Sequence, residues 1–279
     1  MFKLNLVRLA QYPAPVRLGL FVLSLLSIWL PLAAPIYIFV KDSNLVTILS
    51  MGLLFVEFLL LLRFWGQNVY QQSHLLRSYG LQGTRRNGLE LLSGLGVGVI
   101  ITFSLFWLEG LLGWLVWQSP TVVLPRLIVE GLASALGIGL AEELVFRGWL
   151  LDELERDYRP RVVLWADVLI FALLHFLKPP AEILRTLPGF PGLILFGLTL
   201  VWAKRGSKGR LGLPIGLHAG MVWGYYIINV GQMVQYSGRV SDWITGVDKN
   251  PLAGAMGLMF LGVLAFLMRM RSRSPKISS

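Results

Sequence analysis

Apolar residues in this chain come in long unbroken runs separated by short polar segments, not in the alternation of a half-buried strand. A bilayer core takes roughly 20 apolar helical residues. On that ruler the pattern predicts eight spans, at about 18–40, 45–62, 89–117, 124–156, 161–177, 189–203, 211–232 and 252–270. The run from Leu18 to Val40 is too long for a signal-peptide core and is expected to stay as the first span. The stretch 63–88 is too polar to cross and is expected at the interface. Gly94, Gly96 and Gly98 form a row of small residues that predicts close helix packing. Neither an internal repeat nor an inter-domain linker interrupts the chain, so one integral domain is expected.

Composition narrows the class. The 279 residues are 55% hydrophobic and 14% charged, against about a quarter charged in a soluble domain. The expected fold class is all-α, a polytopic multi-pass protein with the lipid bilayer as its partner. The chain has no cysteine, which excludes disulfides, iron–sulfur clusters and thiolate catalysis. A net charge of +10 would suit nucleic acid. The basic residues, however, cluster between the apolar runs, as lipid headgroups and the positive-inside rule demand. No nucleic-acid partner is expected. With eight spans, one side holds nineteen Lys and Arg, among them Lys3, Arg17, Arg147 and Lys276, and the other side six. Both termini are therefore expected in the cytoplasm.

Ionisable groups inside spans are costly and are functional candidates by default. None of Glu57, Glu109, Glu130 and Asp167 has a second ionisable group at helical spacing that would form a site, and they read as structural. The stretch AEELVFRGWL, 141–150, differs. Positions four apart share a helix face, so Glu143 is expected to pair with Arg147. Glu142 points about 100° away and is left free as a candidate general base. Taken alone, the stretch also fits a salt-bridged helix end with both glutamates solvated. The next span ends FALLHFL, with Phe171 and His175. The turn between these spans centres near residue 158, with Glu142 16 residues before it and His175 17 after. Both then lie ~25 Å from the turn. His218, in GLPIGLHAGMVWG, reaches a similar level once the polar overhang of 152–161 is allowed for. Two imidazoles and a carboxylate from three helices suit a zinc-bound water or a glutamate that activates water directly, and both lead to hydrolysis. The HExxH, GxSG-with-histidine and GxGD signatures of other intramembrane hydrolases are missing.

AEELVFRG resembles the EExxxR motif, FALLH the FxxxH motif and His218 the third-motif histidine of the CAAX protease and bacteriocin-processing family of intramembrane endopeptidases (CPBP, also called Abi). The resemblance covers roughly residues 124–230. It implies a catalytic segment, 124–232, between N-terminal spans, 1–123, and a last span with a basic tail, 233–279. It implies hydrolysis of a peptide bond in a membrane-anchored peptide or protein, in a prokaryotic plasma membrane. The implied roles are Glu142 as water-activating base, His175 as its partner and His218 in metal or oxyanion binding, with Glu143, Arg147 and Phe171 in support. Zinc on Glu142, His175 and His218 is the cofactor the pattern allows, and a metal-free glutamate mechanism uses the same residues. The family's third motif carries Asn or Asp four residues after the histidine, where this chain has Val222, which cannot donate a hydrogen bond. That departure supports a second reading, a catalytically weak scaffold or bacteriocin-immunity protein. A small-solute transporter is the third, without the internal symmetry transporters tend to show.

Overall fold

The computed structural model describes residues 6–273, so two of the expected cytoplasmic charges, Lys3 and Lys276, lie outside the described residues. Along the chain come α1 (Ala14–Phe39), α2 (Ser43–Asn68), α3 (Leu75–Ser78), α4 (Arg85–Leu111), strand β1 (Leu115–Trp117) and α5 (Leu124–Glu143). A π-helical segment, Leu144–Leu150, leads from α5 into α6 (Leu151–Glu155). Then follow α7 (Pro160–Leu174), α8 (Pro180–Thr186), α9 (Phe190–Gly206), α10 (Gly212–Val230), β2 (Val234–Tyr236), α11 (Asp242–Thr245) and α12 (Ala255–Arg273). The protein is a multi-pass membrane protein of the all-α class. Among the described residues, six stretches are long and apolar enough to cross a bilayer: Ala14–Phe39, Ser43–Asn68, Arg85–Leu111, Leu124–Glu155, Pro180–Gly206 and Ala255–Arg273. The expected fifth and seventh spans are α7 and α10, which fall outside that set. The expected third span stops as helix at Leu111, and Leu115 pairs with Tyr236 in a small antiparallel ribbon instead. Of the stretch 63–88, α2 takes the beginning and α4 the end.

The chain divides into two compact units. The first holds the described residues up to Ser78 together with Glu153–Tyr158. In it, α2 starts at Asp42, whose side chain caps the Leu45 N–H at 2.8 Å. Phe21 of α1 lies edge-on to Phe58 and Trp65 of α2, with ring centroids 5.8 and 5.5 Å apart. Arg17, expected as an interfacial cytoplasmic charge, is instead buried against Glu153 at 3.0 Å and Asp157 at 3.3 Å. The Tyr70 hydroxyl donates to the same Glu153 carboxylate at 2.6 Å. Burial and that carboxylate push the Tyr70 phenol above its ordinary value.

The second unit holds residues 79–152 and the described residues from 159 onwards. Its most extensive helix pair is α4 on α10, and small residues make the approach possible. A Cβ on Gly216 would stand 2.1 Å from the Leu91 carbonyl oxygen, and one on Gly94 2.6 Å from the Leu213 carbonyl oxygen. Gly98 meets α10 in the same way, whereas Gly96 has nothing within 4 Å and takes no part. The start of α10 is pinned to α4 by polar bonds. Asn87 Oδ1 accepts the Gly212 N–H at 2.7 Å, and Arg210 makes a two-pronged bond to Glu90 at 2.8 and 2.5 Å. Those bonds hold the Arg210 guanidinium above its ordinary range. The 15 residues of α7 run from Pro160, suited to a first helical position, to a C-cap at His175, with Pro179 and Pro180 barring continuation. Fixing α10 and ending α7 there sets the two histidines.

Candidate active site

Four segments of the second unit supply the site: α5 with its π continuation, α7, α9 and α10. The adjacent carboxylates Glu142 and Glu143 end α5. Beyond them the chain widens into i→i+5 hydrogen bonding, a geometry that is rare and concentrated at functional sites. The expected Glu143–Arg147 pair forms, with Nη1 3.3 Å from Oε1 and both side chains fully buried. Arg147 reaches further. Its Nη2 donates to the Gly197 carbonyl of α9 at 3.3 Å, and its Nε stands 3.6 Å from Asp167 Oδ2 of α7. Its guanidinium lies over the Phe171 ring at 4.2 Å. The buried Lys204 ammonium donates to the Arg147 backbone carbonyl. A buried charge needs partners on every side, and Arg147 draws them from three helices.

Glu143 Oε1 also accepts a hydrogen bond from His218 Nδ1 at 2.8 Å. Because the carboxylate accepts, Nδ1 carries the hydrogen and Nε2 is the nitrogen left to act. That Nε2 stands 3.9 Å from Glu142 Oε2. His175 is held in the same sense. Its Nδ1 donates to the Phe171 carbonyl at 2.8 Å, and its Nε2 stands 3.8 Å from the same Glu142 oxygen. Phe171 packs on the His175 ring and Phe196 meets His218 edge-on, at 4.6 and 4.9 Å between centroids. Glu142 Oε2 is buried without a hydrogen-bond partner in the structure, while the whole side chain is 31% exposed, His175 34% and His218 4%. The three expected residues therefore meet around one buried carboxylate oxygen, in a site whose Glu142 and His175 side chains are partly exposed.

Residues 124–224 match the model of a family described as Rce1-like: type II CAAX prenyl endopeptidase Rce1-like. This segment is similar to the Rce1-like domains of the CAAX protease family. No curated protein and no solved structure matches the chain. The Rce1-like segment begins with the first residue of α5 and ends in α10, six residues past His218, so every side chain described at the site falls within it.

The structure adds to this segment three members that sequence reasoning passed over. Asp167, read as an isolated carboxylate, is close to Arg147. A signal for it exists: Asp167, Phe171 and His175 recur every four residues and share a face of α7. Lys204, counted as a loop charge, is buried, and Gly197 contributes only its carbonyl; neither leaves a trace in hydropathy. Val222, one turn beyond His218, lines an apolar cavity of about 460 Å³ that Phe196 also walls. Asn229 lies far from His218 along α10 and lines a different, polar cavity. Among the described residues, no group of three or more His, Asp and Glu side chains is arranged to hold a metal ion. No step below is routed through a metal.

Proposed function

We propose that the chain is an intramembrane endopeptidase in which Glu142 activates the water that hydrolyses a peptide bond of a membrane-anchored substrate. The Rce1-like match supports CAAX-type intramembrane proteolysis. The observation that carries the residue roles is the approach of two imidazole Nε2 atoms, at 3.8 and 3.9 Å, to one unpartnered oxygen of Glu142. Those gaps exceed a hydrogen bond and suit a bridging water. Glu142 takes a proton from that water as its oxygen attacks the carbonyl carbon, and His175 Nε2 accepts the water's other hydrogen and aligns it. The proton on Glu142 then passes to the amide nitrogen as the carbon–nitrogen bond breaks. His218, when protonated, presents Nε2–H to the oxyanion, a donor that Val222 does not supply. Glu143 and Arg147 position His218 and touch no substrate.

The test uses full-length protein in lipid vesicles with a membrane-anchored reporter peptide. Glu142→Gln keeps shape but removes the base, and the cleavage rate should fall at least ~10²-fold with unchanged thermal stability. A wild-type rate in that variant overturns the assignment. A parallel arm with chelator separates zinc from the glutamate mechanism, because only the zinc enzyme loses activity and regains it on metal addition. A weakly active scaffold is the second reading, favoured by Val222. It predicts no cleavage by the wild-type protein and unaltered partner binding in Glu142→Gln.

A further inference from the structure

Two cavities of the second unit share walls. The apolar one, about 460 Å³, runs past Val222 and Phe196 beside His218. A second, about 510 Å³, is lined by uncharged hydrogen-bonding side chains, including Gln118, Ser119, Thr121, Asn229 and Gln235. Phe106 and Tyr225 face both. A short strap crosses between them. Asp248 turns to the apolar cavity and Lys249 to the polar one, and these neighbours both adopt positive φ, 55° and 60°. Such backbone persists only where its surroundings hold it. Here the Tyr225 hydroxyl donates to the Lys249 carbonyl at 3.1 Å and Arg185 pairs with Asp248 at 3.2 Å.

We infer that the two cavities form one substrate cleft, and that the amide-lined half binds an uncharged polar stretch of peptide that flanks the scissile bond. This rests on the proteolytic reading above and names the substrate it takes. The lining decides the chemistry. Amides and hydroxyls satisfy a peptide backbone and Asn, Gln or Ser side chains, whereas the single lysine offers little to an acidic partner. An occupant must be apolar near His218 and polar beyond Tyr225, which describes a membrane segment where it meets its hydrophilic flank. A sugar would fill only the polar half. The geometry also sets a spacing. His218 and Asn229 are 11 residues apart on α10, or ~16 Å, which an extended peptide covers in about five residues. The polar stretch should therefore begin about five residues from the cleaved bond.

The test measures binding of fluorescent peptides to full-length Glu142→Gln protein in nanodiscs, so that affinity is read without turnover. One peptide carries an apolar segment followed, five residues from its intended cleavage point, by an Asn/Ser/Gln stretch. A second has Ala there, and a third has the polar stretch moved a further five residues out. The first should bind at least about tenfold tighter than the other two, the worth of one or two net hydrogen bonds. Asn229→Leu with Gln118→Leu, both placed in exposed positions, should reduce that ratio to below about threefold; Gln235→Leu serves if the pair misfolds. Equal affinity for the three peptides, or a ratio that the substitutions leave intact, overturns the cleft. So does displacement by a neutral oligosaccharide without any preference among peptides. Wild-type cleavage of the same peptides keeps the two ideas apart. Flank-dependent binding without hydrolysis removes the protease and spares the cleft; hydrolysis indifferent to the flank does the reverse.

Discussion

Glu143 serves two neighbours with one oxygen, Arg147 at 3.3 Å and His218 at 2.8 Å. Glu143→Gln should therefore lower stability and activity together, the latter by about 10- to 100-fold, as when a partner that orients an active-site imidazole is lost. Removing one member of a buried ion pair costs about 3–5 kcal/mol; Asp167 still faces Arg147 at 3.6 Å, so the lower end is expected. Adding Arg147→Met should not restore stability, because it strands Asp167. The triple variant with Asp167→Asn should restore most of it, and thermal unfolding in detergent measures the difference. Full recovery in the double variant would show that Asp167 carries no charge worth pairing. The sequence alone offers the Glu143–Arg147 pair, because that pair lies within one helix at a fixed spacing. Asp167 and Lys204 join from other helices, and periodicity along a single helix cannot report a neighbour on another.

Among the elements, hydropathy places helices at all eight expected spans, because backbone polar groups in lipid have few other ways to be satisfied. It misses what depends on hydrogen-bond register or partner geometry: the π segment, the β1–β2 ribbon and the early end of α7. The depth argument for Glu142 and His175 holds because it counts residues from a shared turn and needs no knowledge of where α7 ends. The glycine row is legible in type but not in face. Gly216→Ala should destabilise by about 1–3 kcal/mol, since its Cβ meets the Leu91 carbonyl oxygen at 2.1 Å across the α4–α10 seam. Gly96→Ala, with nothing within 4 Å, should be neutral or gain up to about 1 kcal/mol of helix propensity. Equal melting temperatures for the two variants would mean that the helices separate more easily than their contact suggests.

For the molecule as a whole, the charge asymmetry that leads us to expect cytoplasmic termini persists after Arg17, Arg147 and Lys204 are recognised as buried, with sixteen basic residues against six. Ser207, on a loop expected to face the cytoplasm, is fully buried and useless as a reporter of sidedness. Arg273→Cys and Ser241→Cys, both exposed in a chain free of other cysteines, should label from opposite sides of the membrane. In intact cells an impermeant maleimide should reach only Ser241→Cys; labelling of both would refute cytoplasmic termini. The grouping of Glu153–Tyr158 with the first unit has a different reach. These residues fall inside 124–224, yet besides the nearby Arg156 the partners of Glu153 are Arg17 and Tyr70. A protein trimmed to 79–279 would keep every residue proposed for catalysis and still lose the arginine and tyrosine that Glu153 needs, so it should express poorly unless Glu153→Gln is added. The matched segment is thus not a self-contained cassette, because a residue inside it draws its buried partners from the first helical pair and from the turn that follows.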